Sequence, residues 1–210
     1  MPKRSLRRTR HVFTGAAFLL CSAGALRAAH AAEEPPAEAA AAGSETFPKT
    51  ALQAAVGATG GVSTWRGDAG GGGAFRLGLL LGGVVAPDVV TKLAYSLVDD
   101  RFLTILSLGV TGYLPLRVVR PYARLAFVHQ HEESRAAIED GPFNAALGVG
   151  AGIRHRAGGV ASLGAEVPVM RRGRSFFTLG GDLSATHMPD GRGPSNYFGG
   201  TLWASIHHGL

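Results

Sequence analysis

The residues best suited to chemistry are His129-Gln130-His131-Glu132-Glu133, the densest polar cluster in this chain of 210 residues. In an extended segment successive side chains alternate, so His129 and His131 project to one face. Two imidazoles with a carboxylate such as Glu132 beside them are a donor set for a divalent metal or an acid/base pair. The plainer reading makes them amphipathic side chains at the rim of a folded body, with no chemistry to do. His155 and His187 are further imidazoles able to complete such a site. The spacing matches no metal motif and no Ser/His/Asp arrangement names a hydrolase. No catalytic residue, metal or cofactor is therefore assigned, and His129, His131 and Glu132 stand as candidates only.

Glycine strings offer a second kind of chemistry, the cradling of phosphates. They occur at Gly60-Gly61, at 70–73 and at Gly148-Val149-Gly150-Ala151-Gly152. The last has the superficial form of a dinucleotide fingerprint. It lies inside an alternating run, no helical pattern follows it, and no acidic residue stands at the required distance. These glycines read as small positions on a strand face or in loops, and nucleotide binding is not expected.

The elements that must position these residues are legible as a period of two. From Thr50 onward, apolar residues alternate with small or polar ones in nine runs: 52–64, 74–83, 92–98, 104–112, 122–130, 145–154, 161–169, 176–186 and 196–208. In the second, Phe75, Leu77, Leu79 and Leu81 oppose Arg76, Gly78 and Gly82, and only Leu80 breaks the pattern. Such alternation predicts strands with one apolar and one polar face. With 31 Gly in the chain, a helical bundle is excluded, because each interior Gly costs a helix about 0.5 to 1 kcal/mol relative to Ala.

The character of the polar face selects the architecture. It consists mostly of Gly, Ala, Ser and Thr, with single charges at Arg76, Lys92, Arg124, Arg154, Glu166 and Asp182. That face is too small and too sparsely charged for a solvated exterior. It suits the lumen of a narrow barrel, where these six charges would form a network and plug the interior. The Leu, Val and Phe rows then meet lipid, and closure satisfies every backbone polar group without water. Aromatic residues near run ends, Trp65, Phe75, Tyr113, Tyr122, Phe176, Tyr197 and Phe198, fit an interfacial girdle.

Charge sets the compartment. Six of the 21 basic residues, Lys3, Arg4, Arg7, Arg8, Arg10 and Arg27, precede residue 31, while the 15 acids all lie from Glu33 onward, against the remaining 15 basic groups. The formal charge of +6 thus belongs to the amino terminus and gives no reason to expect nucleic acid. Residues 1–31 combine this cationic start with an apolar run and an Ala29-His30-Ala31 ending, the layout of a cleaved signal peptide. Cleavage there removes Cys21, the single cysteine. Residues 32–49, rich in Ala, Glu and Pro, read as a disordered linker.

On these features, signal peptide, alternation and a glycine-rich polar face, residues 50–210 resemble the small outer-membrane β-barrel proteins of Gram-negative bacteria, of the OmpA-domain or OmpX type. The resemblance implies an all-β, antiparallel, up-and-down transmembrane barrel. Such barrels have an even number of strands. Nine runs therefore mean that one strand is split or one is missed, and a body of this length favours eight strands over ten. The expected role is a non-enzymatic integral protein of the cell outer membrane, in contact with outer-membrane lipids. The oligomeric state is left open. The alternatives are a lipid-modifying enzyme with its His/Glu site at the barrel rim and a soluble secreted β-sandwich or lipocalin-like binder.

Overall fold

The structure, a computed structural model, describes residues 47–64, 67–116, 118–141, 143–144, 147–150 and 152–210. The stretches read from sequence as a signal peptide, 1–31, and as a linker, up to residue 46, lie outside the described residues. The compact unit spans Thr46–Leu210.

Eight strands follow one another: β1 (Ala51–Ser63), β2 (Ala69–Leu80), β3 (Val85–Ser96), β4 (Arg101–Tyr113), β5 (Arg120–Ser134), β6 (Arg154–Arg172), β7 (Ser175–His187) and β8 (Asn196–Gly209). Each pairs antiparallel with its neighbour in sequence, and β1 pairs with β8 to close the barrel. A short helix, α1 (Arg135–Asp140), begins the β5–β6 connection, its first turn capped by the Ser134 hydroxyl accepting from the Ala137 amide. All eight strands belong to one closed sheet, so the two-sheet sandwich is excluded.

The sixth run, 145–154, is the one that forms no strand of its own. Residues 147–150 and 152–153 lie in the β5–β6 connection rather than in a strand, and Gly148, Gly150 and Gly152 take φ values of 72°, 144° and 82°. An extended strand needs negative φ at each residue, and the alternation of Leu147, Val149 and Ile153 with glycines imitates a strand only in composition. Removing this run also corrects the placement of the loops. The β1–β2, β5–β6 and β7–β8 connections now all lie at one end, and the chain ends with the β2–β3, β4–β5 and β6–β7 connections at the other.

The two faces follow the alternation. Leu125 and Leu163 are each 70% exposed on the outer wall and Leu183 is 75% exposed, while Gln53, Arg76, Asp88, Arg124, Glu166 and His207 are buried inside. Leu80, the residue that interrupts the pattern of its run, points inward and is buried with Ala51, Ala86, Tyr113 and Tyr122. A lipocalin-like binder would place its apolar rows within. Here they are on the outside.

Two inward glycines make room for rings. A side chain at Gly164 would collide with the Tyr122 ring across the ladder, and one at Gly57 with Trp203 and the Leu202 carbonyl. Only a residue without Cβ allows a narrow barrel to take these aromatics inside.

Candidate functional site

The interior is organised in three tiers. Nearest the chain termini, Arg120 Nη1 donates to Glu166 at 2.9 Å, and Glu166 also takes the Thr178 hydroxyl and the His207 ring, each at 3.2 Å. Phe47, the last aromatic residue before β1, stacks on Phe176 at 4.8 Å between ring centroids, and its ring centroid lies 3.8 Å from the Arg120 guanidinium carbon. Phe47 falls within the stretch read as linker, and it folds onto the end of the barrel instead.

The middle tier centres on two carboxylates. Asp88 accepts from Arg124 Nε at 2.7 Å and from the Thr111 hydroxyl at 2.5 Å, with Arg76 Nε 3.9 Å away. Asp182 accepts from Trp203 Nε1 at 2.6 Å and the Tyr122 hydroxyl at 3.1 Å. The Arg76 guanidinium lies between the Trp203 and Tyr122 rings, 5.1 and 5.4 Å from their centroids. Above this floor an internal cavity of about 120 Å³ is lined by Lys92, Val128, Gln130, Ser162 and Tyr197 among others. Lys92 donates to Thr201 there.

The upper tier, at the end with the longer loops, is an ion-pair cluster. Glu132 is fully buried and pairs with Arg154 Nη2 at 2.6 Å and Arg156 Nη1 at 3.0 Å. Arg156 reaches on to Asp190 at 2.8 Å in the β7–β8 connection, and Arg154 to Asp99 at 2.8 Å in the β3–β4 connection. The guanidinium of Arg156 holds the Asp190 carboxyl below the usual aspartate range.

The six charges singled out in the sequence, Arg76, Lys92, Arg124, Arg154, Glu166 and Asp182, therefore all point inward, but no ion pair between two of them occurs among the described residues. Their partners include Asp88, Glu132, Asp99, Arg120, His207, Tyr122, Trp203 and Thr201, none of which the network included. Asp88, Arg120 and Glu132 sit just beyond the bounds of the alternating runs, and that alternation extended by two residues reaches Arg120 and Glu132.

The candidate His/Glu site is divided by the barrel wall. In β5 the even-numbered residues face the lumen, so Glu132 points inward while His129 and His131 point out. The period of two that placed the histidines together also separates them from Glu132, and a catalytic or metal-binding set of these three does not assemble. His155 joins the two histidines on the outer wall, directly across from His131 in the β5–β6 ladder. His187 does not; its Nδ1 lies 2.8 Å from the Asn196 side chain.

The aromatic girdle is likewise only partial. Phe75 and Phe198 are outward, but Tyr113, Tyr122 and Phe176 are buried inside and Tyr197 is inward beside Glu132 and Arg156. The inward tyrosines carry hydroxyls that polar lumen groups satisfy, which interfacial rings do not need. Trp65 lies outside the described residues.

A closed eight-stranded antiparallel barrel with an apolar wall and a polar interior is the fold of the small outer-membrane barrels of Gram-negative bacteria. Among solved structures, the chain is similar to Neisserial surface protein A at 16% identity, covering 79% of this chain and all of that one, with a TM-score of 0.50. It also aligns with the outer membrane protein OprG from Pseudomonas aeruginosa at 10% identity, covering 77% of this chain and 97% of that one, with a TM-score of 0.45. No protein-family model matches the chain, and no curated protein matches it.

Proposed function

We propose that the protein is a non-enzymatic integral barrel of the bacterial outer membrane, exported through residues 1–31, that anchors in lipid through its wall and presents the loops of one end for surface contacts. The observation that carries this reading is the pairing of an exposed apolar wall with a polar interior whose buried charges are ion-paired. Exposed rows of Leu, Val and Phe are costly in water and favourable in hydrocarbon, whereas buried guanidinium and carboxylate groups are tolerated only when paired away from it. Arg120, Tyr113 and Tyr122 fill the end of the lumen nearest the termini and Trp203 the tier above it, which favours an anchor over a pore.

The partners this implies are outer-membrane lipids. A lipid-modifying site built from His129, His131 and Glu132 is not carried forward, because its carboxylate lies on the far side of the wall. The test is cell fractionation with a gel-mobility assay. An outer-membrane protein resists carbonate extraction and migrates differently before and after boiling in detergent. Recovery of the chain in the soluble periplasm overturns the proposal. Unchanged lipid A and phospholipids in cells lacking the protein are expected for a non-enzymatic role, and an altered lipid profile restored by the intact gene refutes it.

A further inference from the structure

We infer that His129, His131 and His155 form a binding site for a divalent transition-metal ion of the zinc class on the outer wall of the barrel, with Glu133 as its neutralising carboxylate. Each histidine offers one ring nitrogen, and these three atoms lie within 4.8 Å of one another. The Nε2 atoms of His129 and His131 are 2.8 Å apart. The His131 and His155 ring centroids are separated by 4.6 Å and those of His129 and His155 by 5.7 Å. Zinc bonds to imidazole nitrogen at about 2.0–2.1 Å, so two ligands on a tetrahedral ion sit roughly 3.3 Å apart. The His129–His131 pair needs to open by only about half an ångström to meet this geometry, a small rotation of one ring.

Uncommitted polar groups mark the same patch. The Nδ1 of His131 is buried without a hydrogen-bond partner. Glu133, two residues on along the outward face of β5, is fully buried. Neither of its carboxylate oxygens makes a hydrogen bond of sound geometry, although the Thr104 hydroxyl is beside it. No arginine or lysine pairs with Glu133 among the described residues, and the neighbouring group able to offset its charge is the His155 imidazole. A buried carboxylate without a cation is costly, and a bound divalent ion removes that cost.

The surroundings suit a site rather than a chance meeting of rings. Paired strands hold His131 and His155 in fixed register, with Thr104 of β4 across from His131 on the other side. The β5–β6 connection folds back so that Gly148, at φ 72°, packs its backbone against the His131 ring. Three imidazoles leave the remaining coordination position to water, and Glu133, outside the group of clustered ligand atoms, acts through its charge. The site is distinct from the lumen ion pairs, since Glu132 belongs to the inner face.

The test is titration of the refolded, tag-free barrel in detergent with Zn²⁺, followed by Co²⁺ as a spectroscopic probe. The expected result is one saturable site per chain, with cobalt absorption of the intensity that tetrahedral nitrogen ligation gives. His131→Gln and His155→Gln each weaken binding by about tenfold or more and abolish that absorption, and Glu133→Gln weakens it as well. His187→Gln and His208→Gln, exposed histidines elsewhere, leave it unchanged. Circular dichroism and heat-dependent gel mobility verify that each variant is folded. Absence of saturable binding by the intact barrel, or equal binding by a folded His131→Gln/His155→Gln double variant, overturns the inference.

Discussion

The Tyr122 ring of β5 occupies the space that a side chain at Gly164 of β6 would need. The two residues are partners across the ladder, and a Cβ at Gly164 would come 2.5 Å from the ring's Cζ. The ring is held there by its hydroxyl, which donates to Asp182.

Gly164→Val therefore displaces Tyr122 and breaks its bond to Asp182. Overpacking of this kind costs about 1–3 kcal/mol. Denaturant unfolding of the refolded barrel checks it, and the companion Tyr122→Phe/Gly164→Val variant should lie no higher in stability than Gly164→Val alone. Wild-type stability in Gly164→Val contradicts this account of the glycine.

The Arg120–Glu166 pair gives a second test. Both side chains are almost wholly buried. Removing one member of such a pair leaves an uncompensated buried charge and costs about 3–5 kcal/mol, whereas replacing both with apolar residues is often neutral. Glu166→Leu should destabilise strongly, and the Arg120→Met/Glu166→Leu double variant should regain most of the loss. Equal destabilisation by the single and double variants would show that the pair is not what Glu166 provides there.

How far the residues announced this arrangement depends on where alternation is interrupted. Leu125, Phe127, Leu163 and Leu183 sit in uninterrupted alternation, and the wall they form was readable from spacing alone. The 147–153 stretch carries the same composition, yet three of its glycines turn to positive φ, a freedom that leaves no mark in hydropathy. Lumen pairing was visible only as a set of charges. Which charge meets which depends on shear around a closed barrel, so Arg124 finds Asp88 two strands away. His129 and His131 share a face, as a period of two requires, but Glu132, next to His131 in sequence, is on the opposite one. Glu133 is on their face, beyond the alternating run that stops at Gln130.

Acid should release the β7–β8 connection. Asp190 accepts from both Arg156 and the Arg192 amide, and its carboxyl is held below its ordinary value of 3.8 chiefly by the Arg156 hydrogen bond. A carboxyl with a depressed folded-state pKa adds stability that is complete above its unfolded value and is lost as pH falls through the folded one. Amide protection in residues 188–195, corrected for intrinsic exchange, should thus hold constant from neutral pH down to about pH 4 and decline below it. In Asp190→Asn the protection should be low throughout. A decline centred near neutral pH would point to a group other than Asp190.

The wall itself is tested at Leu163, near the middle of β6 and facing outward. If this wall meets hydrocarbon, Leu163→Arg places a guanidinium in it at a cost of about 2–4 kcal/mol near the bilayer midplane. If the wall meets water, the same change is nearly neutral, since arginine is an ordinary surface residue. Ser162→Ala, one residue away and facing the lumen, controls for any general sensitivity of the strand. Folding into lipid vesicles should be impaired by Leu163→Arg and little changed by Ser162→Ala. A Leu163→Arg barrel that remains folded and monodisperse in buffer without detergent would mean that water, not lipid, is the solvent of the outer face.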